Sequence, residues 1–404
     1  MAEVSVAGPL KGLRVIELAT VVAGPSAGQV LADYGADVVK IEHPKGGDGI
    51  RRQGRPKNGV PLWWKALGRN KRSVGMYLGD PEVAELFLNK LVPTADVIIE
   101  NFRPGTLERW NLGYDRLSSV NPGIILARLT GFGQTGPYSH KPAFGTNIEA
   151  MSGIADLTGE PGRPPMLPVF ALGDYIAGFC MVGAIMMALY HRDAKGGTGQ
   201  VIDISLLRPL IATLSRQVVH SDQLQFLETR IGNRSASSAP RNAYLTKDNK
   251  WVCLSAATNE IATRVMNLVG KPDVPLQPWF GNAAGRVAHF AEVDGPVAAW
   301  VAERTRDEVM RASEEAETTF APIYDIAEMM ADPHVVATDM VPSIEDPELG
   351  HIRMPGLPFA MSETPGSIRW AGRPLASSSE AVLSEELGIP DSILAPLRER
   401  GVLL

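Results

Sequence analysis

Cysteine is scarce in this chain. There are two in 404 residues, Cys180 and Cys253, both in apolar contexts and at no metal-ligand spacing. That excludes a disulfide framework and points to buried free thiols in a reducing compartment, the cytoplasm. Positive charge is also short: 39 Lys and Arg against 45 Asp and Glu leave a net charge of −6. Such a balance offers no footprint for a phosphate backbone, so no nucleic acid is expected as a partner. The seven histidines form no zinc-type cluster with the cysteines, and no metal is expected. The stretch Met1 to Pro9 has neither a basic patch nor an apolar run, so no secretory signal is read there.

Several motifs are missing as well. Gly24-x-x-x-Gly28 follows a strand pattern, and Glu42 ends the next one, where it would suit a ribose contact. The full Gly-x-Gly-x-x-Gly spacing is absent, which argues against a nicotinamide cofactor. There is no Walker A sequence and no Gly-x-Ser-x-Gly elbow. The longest apolar run, Phe170 to Tyr190, carries an acid near its start and two later glycines. Its uncharged part after Asp174 is about 16 residues, short of the roughly 20 that a bilayer demands, so a core helix is expected and no membrane.

What is present reads as α/β. A length of 404 residues exceeds what one core usually supports, so two domains are expected. Arg14–Leu18, Asp37–Glu42, Asp96–Glu100 and Gly123–Arg128 read as strands buried on both faces. Helical patterns lie between them, one starting at Gly24-Pro25-Ser26 and one after Asp80-Pro81. Repeated strand–helix–strand units imply a parallel sheet whose ligands bind beyond the strand C-termini. Val201–Leu206 reads as one more strand, followed by a helix near Leu210 to Val218. The large domain is placed at 1–220, with a connection between Asp222 and Ala239. A smaller α+β domain at 225–325 opens with a hairpin, Tyr244–Thr246 against Trp251–Leu254. Helices are expected at Asn259–Val269 and Val297–Glu315. The remaining 326–404 is rich in proline and reads as an extended segment laid over other surfaces.

Among the polar residues, Asp174 in Leu172-Gly173-Asp174-Tyr175 is the best candidate for chemistry. A carboxylate at the first turn of a buried helix is favoured as an anion by the helix's positive end and is poorly solvated, which suits a nucleophile. The plainer reading is a helix N-cap, and the two are compatible.

The chain as a whole resembles the class III CoA-transferases, the family of formyl-CoA and carnitine CoA-transferases. The likeness rests on Pro9–Leu18, Ala23-Gly24-Pro25, Gly35–Glu42, Asn70–Ser73, Glu100–Gly105, Gly131–Pro137 and Leu172-Gly173-Asp174. It continues through Asp332-Pro333-His334 and Ser362–Gly366. The resemblance implies a large Rossmann-like domain, a small domain, a C-terminal return to the large one, and two ring-like subunits interlocked as a homodimer. A heteromer stays open. It implies that Asp174 attacks the donor acyl-CoA and then carries CoA as an aspartyl thioester, with no cofactor, since the CoA thioester is itself a substrate. Gly173 would leave room for the acyl group and a backbone donor for the oxyanion.

By the same likeness Val22 and Ala23 touch the CoA moiety through their backbone. Asn101, Phe102 and Arg103 lie beside adenine and pyrophosphate, and Arg109 binds phosphate. His43 stands where many members have arginine, and is a weaker phosphate partner. Phe144 and Gly145 replace the tyrosine and glutamate of formyl-CoA transferases, which speaks against oxalate. With Met151 they suggest an open, partly apolar pocket for a larger acid, a dicarboxylate with succinyl-CoA as donor. Arg234, Arg241 and Lys247 are candidates for a second carboxylate.

Two other readings stay open. α-Methylacyl-CoA racemases resemble this chain too, but their histidine is absent from Ala143–Asn147, and His140 comes too early. A CoA-binding subunit of a heteromeric transferase is the third reading, against which the retention of Asp174 counts.

Overall fold

A computed structural model describes residues 8–404; the N-terminal stretch read above as carrying no secretory signal lies, up to Ala7, outside them. The chain forms two compact units. The first holds the described residues up to Ile154, Leu167–Val218 and Asp339–Leu404; the second holds Ala155–Met166 and Val219–Thr338. The sequence reading set its breaks near 220–225 and 325.

In the first unit six strands make a parallel sheet. They are β1 Arg14–Glu17, β2 Asp37–Glu42, β3 Lys71–Gly75, β4 Val97–Glu100, β5 Ile125–Thr130 and β6 Val201–Ser205. Their order is β3-β2-β1-β4-β5-β6, every pairing parallel. The order reverses direction between β1 and β4, and open α/β sheets bind ligands at that point, beyond the strand C-termini.

Successive strand residues point to opposite faces, and the sequence supplies apolar groups for both. Ile16, Val39 and Ile98 pack in one buried cluster, whereas Val15, Val38 and Val97 pack in the other. Helix α1 Ala23–Asp33 and the 24-residue helix α4 Leu172–Lys195 cover the second face. Between them in the chain lie α2 Pro81–Leu86 and α3 Gly145–Met151, and α5 Leu207–Thr213 follows β6. Gly178 allows α4 to lie directly on α1. A Cβ there would sit 2.0 Å from Ser26 Oγ and 2.7 Å from the Ala23 carbonyl oxygen.

Helix α4 runs longer than the sequence reading allowed and meets a bilayer span by length and composition alone. Yet its Ala177, Met181, Ile185 and Leu189 are core residues of this unit. Strand β3 escapes the hydrophobic pattern because Lys71 and Arg72 occupy it; Lys71 is buried and pairs with Glu17 at 2.8 Å. Strand β5 starts two residues later than expected because Asn121 to Ile124 form a turn, with Asn121 Nδ2 bonded to the carbonyls of Val92 and Ala95.

The second unit has a three-stranded antiparallel sheet, β7 Arg241–Leu245, β8 Trp251–Ser255 and β9 Phe320–Pro322, with β8 central. The expected hairpin is there, pairing Trp251 with Leu245 and Val252 with Tyr244. Helix α6 Asn259–Leu268 packs with two further helices where one was expected: α7 Phe290–Ala302 and α8 Arg306–Glu315. Thr305 and Glu308 form a capping box that starts the second of them, an end signal inside a continuous helical pattern.

The C-terminal stretch carries more regular structure than its prolines suggest. Strands β10 Ser343–Asp346 and β11 Gly350–Arg353 pair as a hairpin, and α9 Asp391–Glu399 follows. Val382, Leu383, Leu394, Leu397 and Leu403 join the cluster on the first face of the sheet. Leu404 N–H bonds Gly75 O at 3.0 Å, and Tyr77 N–H bonds Val402 O at 2.9 Å. Of the two thiols, Cys180 is exposed and Cys253 half-buried, which corrects the expectation that both are buried: Cys180 lies on the face of α4 turned away from α1.

Candidate active site

The loop after β1 is fixed by side chains from two other segments. Thr20 N–H donates to Asn101 Oδ1 at 2.8 Å, and Asn101 Nδ2 donates back to Thr20 O at 2.7 Å. Val21 N–H donates to Asp48 Oδ1 at 2.8 Å. Val21 has φ 69°, left-handed backbone that is strained for a β-branched residue and persists only where the surroundings impose it. The imposing group is a buried charge network. Asp48 pairs with Lys40 at 2.7 Å, Lys40 with Glu17 at 3.0 Å, and Glu17 with Lys71. Burial alone would push the Lys40 ammonium down, but Asp48, Glu17 and Glu42 outweigh it and raise it, so it stays charged. Burial likewise opposes ionisation of Asp48, and Lys40 with the N–H groups of Ile50 and Val21 holds it below the usual carboxylate range.

Asp174 is the third residue of α4, after Ala171 at the N-cap, so it does not cap the helix itself. Among the described residues its carboxylate accepts no hydrogen bond. The carboxyl is pushed up to about 6, by burial first and by the charge of Glu149 second. At pH 7 the anion still predominates by about ten to one. Gly145, the first residue of α3, lies against it: a Cβ there would be 2.4 Å from Asp174 Oδ2. Glu149, one turn further along α3, is 1% exposed and accepts the Gly173 N–H at 2.9 Å. The backbone donor expected at Gly173 is therefore already engaged. The N–H groups of Gly145 and Thr146, at the start of α3, have no intrahelical acceptor.

Asp174 opens onto a pocket of ≈ 440 Å³ at the β1/β4 reversal of the sheet. Val22, Ala23, Asn101, Phe144 and Gly145 line it together with Asp174. His43, Phe102, Arg103 and Arg109 do not. His43 is exposed and rests on Tyr77, ring centroids 4.8 Å apart. Phe102 packs edge-on against Trp110, Arg103 is exposed, and Arg109 donates to Thr106 Oγ1 at 2.9 Å. Arg234, Arg241 and Lys247 belong to the second unit. Met151 is 52% exposed and is not part of the lining.

Sequence reasoning missed Thr20, Val21, Gln53, Trp63 and Phe170 in the lining, and Glu149 behind it. Only the last carried a signal: it stands four residues after Gly145, on the same side of a helix. Asp174 is the one ionisable side chain in the lining. Among the described residues no group of His, Cys, Asp and Glu is arranged to hold a metal ion. A half-buried, unpaired carboxylate of raised basicity, facing a neutral pocket, can attack an electrophilic carbonyl.

The chain is similar to known proteins over nearly its whole length. The model of CoA-transferase family III matches residues 10–378. The succinyl-CoA–D-citramalate CoA-transferase of Chloroflexus aurantiacus is 38% identical over 98% of both chains. The beta subunit of the succinyl-CoA–L-malate CoA-transferase of the same organism is 40% identical, again over 98% of both. The human succinyl-CoA:glutarate CoA-transferase is 29% identical over 98% of this chain and 90% of its own. The crystal structure of a CaiB/BaiF family protein from Brucella suis superposes with a TM-score of 0.81 at 31% identity, covering 94% of this chain and all of the other. A carboxylate poised at a Rossmann-type switch point, together with likeness over nearly the full length, establishes that this chain belongs to CoA-transferase family III.

Proposed function

We propose that this CoA-transferase moves CoA from succinyl-CoA to a short dicarboxylic acid, with Asp174 as the covalent carrier. One observation carries the reading: an Asp174 carboxylate without hydrogen-bond partners among the described residues opens onto the neutral pocket. Similarity to transferases named for succinyl-CoA with citramalate, malate and glutarate supports the donor and the class of acceptor.

Asp174 attacks the thioester carbonyl, the C–S bond breaks, and CoA leaves as thiolate from an acyl–aspartyl anhydride. The thiolate then attacks the aspartyl carbonyl, frees the donor acid and leaves an aspartyl-CoA thioester. The acceptor carboxylate attacks that thioester and forms a new anhydride, from which the returning thiolate takes the acceptor's acyl group and restores Asp174. We assign stabilisation of the oxyanions to the N–H groups of Gly145 and Thr146. Each step exchanges acyl groups of comparable energy, so no cofactor enters the scheme.

A pocket without cations in its lining leaves the acceptor's second carboxylate to a group outside that lining. The phosphates of CoA fall to His43, Arg103 and Arg109 on the same reading. Phe179, Met187 and Tyr190 on α4 are 49%, 75% and 60% exposed, which supports an interlocked homodimer that covers them. The heteromeric reading draws on the 40% identity to a beta subunit. We place the enzyme in the cytoplasm on its free thiols. A racemase would need an imidazole within Ala143–Asn147, where there is none.

The test is chemical trapping. With succinyl-CoA present, hydroxylamine should convert Asp174 to a hydroxamate detectable by peptide mass spectrometry, and a panel of dicarboxylic acids should yield new thioesters. Turnover with an unmodified Asp174 throughout would reject the scheme.

A further inference from the structure

We propose that Glu149 is a positioning residue for the transfer reaction, holding the first turn of α4 through Gly173 and, by its charge, keeping the Asp174 carboxylate a strong nucleophile. The inference rests on the reading of Asp174 as nucleophile.

Gly145 and Glu149 are four residues apart and so share one face of α3. That single face meets α4 twice, with Gly145 against Asp174 Oδ2 and Glu149 Oε1 on the Gly173 N–H at 2.9 Å. The fit is close: a Cβ on Gly173 would stand 3.4 Å from Glu149 Cγ and Oε1. Glu149 has no cationic partner among the described residues, and an unpaired buried carboxylate is a costly way to bind one N–H. A glutamine would hold the same bond without a charge. The charge therefore has another use, and Asp174 is the group next to it.

No other charge serves. On α4 the neighbour of Asp174 is Tyr175, and α3 carries no second titratable group. The part of α1 beneath α4 has none; its Asp33, at the far end, is bound by Arg69 and Asn70. On α5, Arg208 is exposed. On β5, Arg128 pairs with Glu100 and Glu108, and on β6 Asp203 accepts the Gln134 N–H. Glu149 is the one charged side chain that perturbs Asp174 appreciably.

The test compares Glu149→Gln, Glu149→Ala and Asp174→Ala in the full chain. Glu149→Gln keeps the acceptor and removes the charge. The acidic limb of its kcat/KM profile should move to lower pH by roughly half a unit or more, with KM for the acyl-CoA within about twofold of wild type. Glu149→Ala should lose about tenfold or more in kcat, and Glu149→Gln should recover most of it. A Glu149→Gln limb that coincides with wild type, or a Glu149→Ala variant with undiminished kcat, overturns the proposal. If the amide variant does not fold, Glu149→Asp retains a charge withdrawn by one methylene. It should keep the limb and lose turnover, and the opposite pattern counts against the idea. Exchange that survives in Asp174→Ala rejects the nucleophile itself, a separate outcome from failure of Glu149 alone.

Discussion

Gly145 and Asp174 stand so close that a methyl group on the first would lie 2.4 Å from a carboxylate oxygen of the second. Helix α3 therefore sets where the Asp174 carboxylate can be. Gly145→Ala should turn the carboxylate away from the pocket. A displacement on the order of 1 Å at a reacting group costs up to about a hundredfold. We expect kcat to fall by about tenfold to a hundredfold, with a melting temperature close to wild type, because the atom that must move is the end of a side chain. Steady-state kinetics beside a thermal melt checks both; unchanged kcat contradicts the role given to this contact.

The raised Asp174 carboxyl has two consequences with pH. The proposed attack uses the anion, so kcat/KM should climb as pH rises through about 6 and level off above it. Stability runs the other way. A folded value above the ordinary 3.8 means that the folded chain holds this proton more tightly than the unfolded chain. The cost is fully present above about 6 and disappears below about 4. Asp174→Asn should therefore be inactive yet more stable than wild type at pH 8, by at most about 3 kcal/mol. Urea unfolding at pH 8 and pH 4 should show that advantage at the first and not at the second.

Asn101 bonds Thr20 in both directions, and each bond is worth about 1 kcal/mol. Asn101→Ala frees the loop that lines the pocket. KM for the acyl-CoA should rise about tenfold, while hydroxylamine trapping at Asp174 persists with excess substrate. Titration with a non-reactive CoA thioester analogue measures the loss of affinity directly.

Val21 offers a case where strain and order oppose each other. Val21→Gly relieves a left-handed β-branched residue and should stabilise the fold by about 1 kcal/mol. The same change removes a side chain from the pocket wall, so the gain in denaturant midpoint should come with a weaker KM. A destabilised variant would show that the network through Asp48 imposes no strain.

Much of this was legible in the sequence. Alternating βαβ patterns gave five of the six strands of the sheet within a residue or two, and the turn before a long apolar helix singled out Asp174. What stayed hidden shares one cause. Lys71 in β3, Lys40 in β2 and Glu149 in α3 are charged residues in buried places, and hydropathy patterns score them as surface. Their partners lie far off in sequence: Lys71 with Glu17, Lys40 with Glu17, Glu149 with Gly173. The break between α7 and α8 was readable from Thr305 and Glu308 but was overridden by the apolar period on either side. Arg103 and Arg109, singled out by their motif, are not in the lining, because a motif records which residues recur together and not which cavity they face.

Residues 402–404 complete the backbone pairing of Gly75 and Tyr77, and Leu403 fills the core beneath strands formed by the first hundred residues. By contrast, the three strands of the sheet in the second unit lie between Arg241 and Pro322. Folding of the unit that holds Asp174 therefore depends on contacts that close loops across most of the described chain, which slows their formation more than it weakens them.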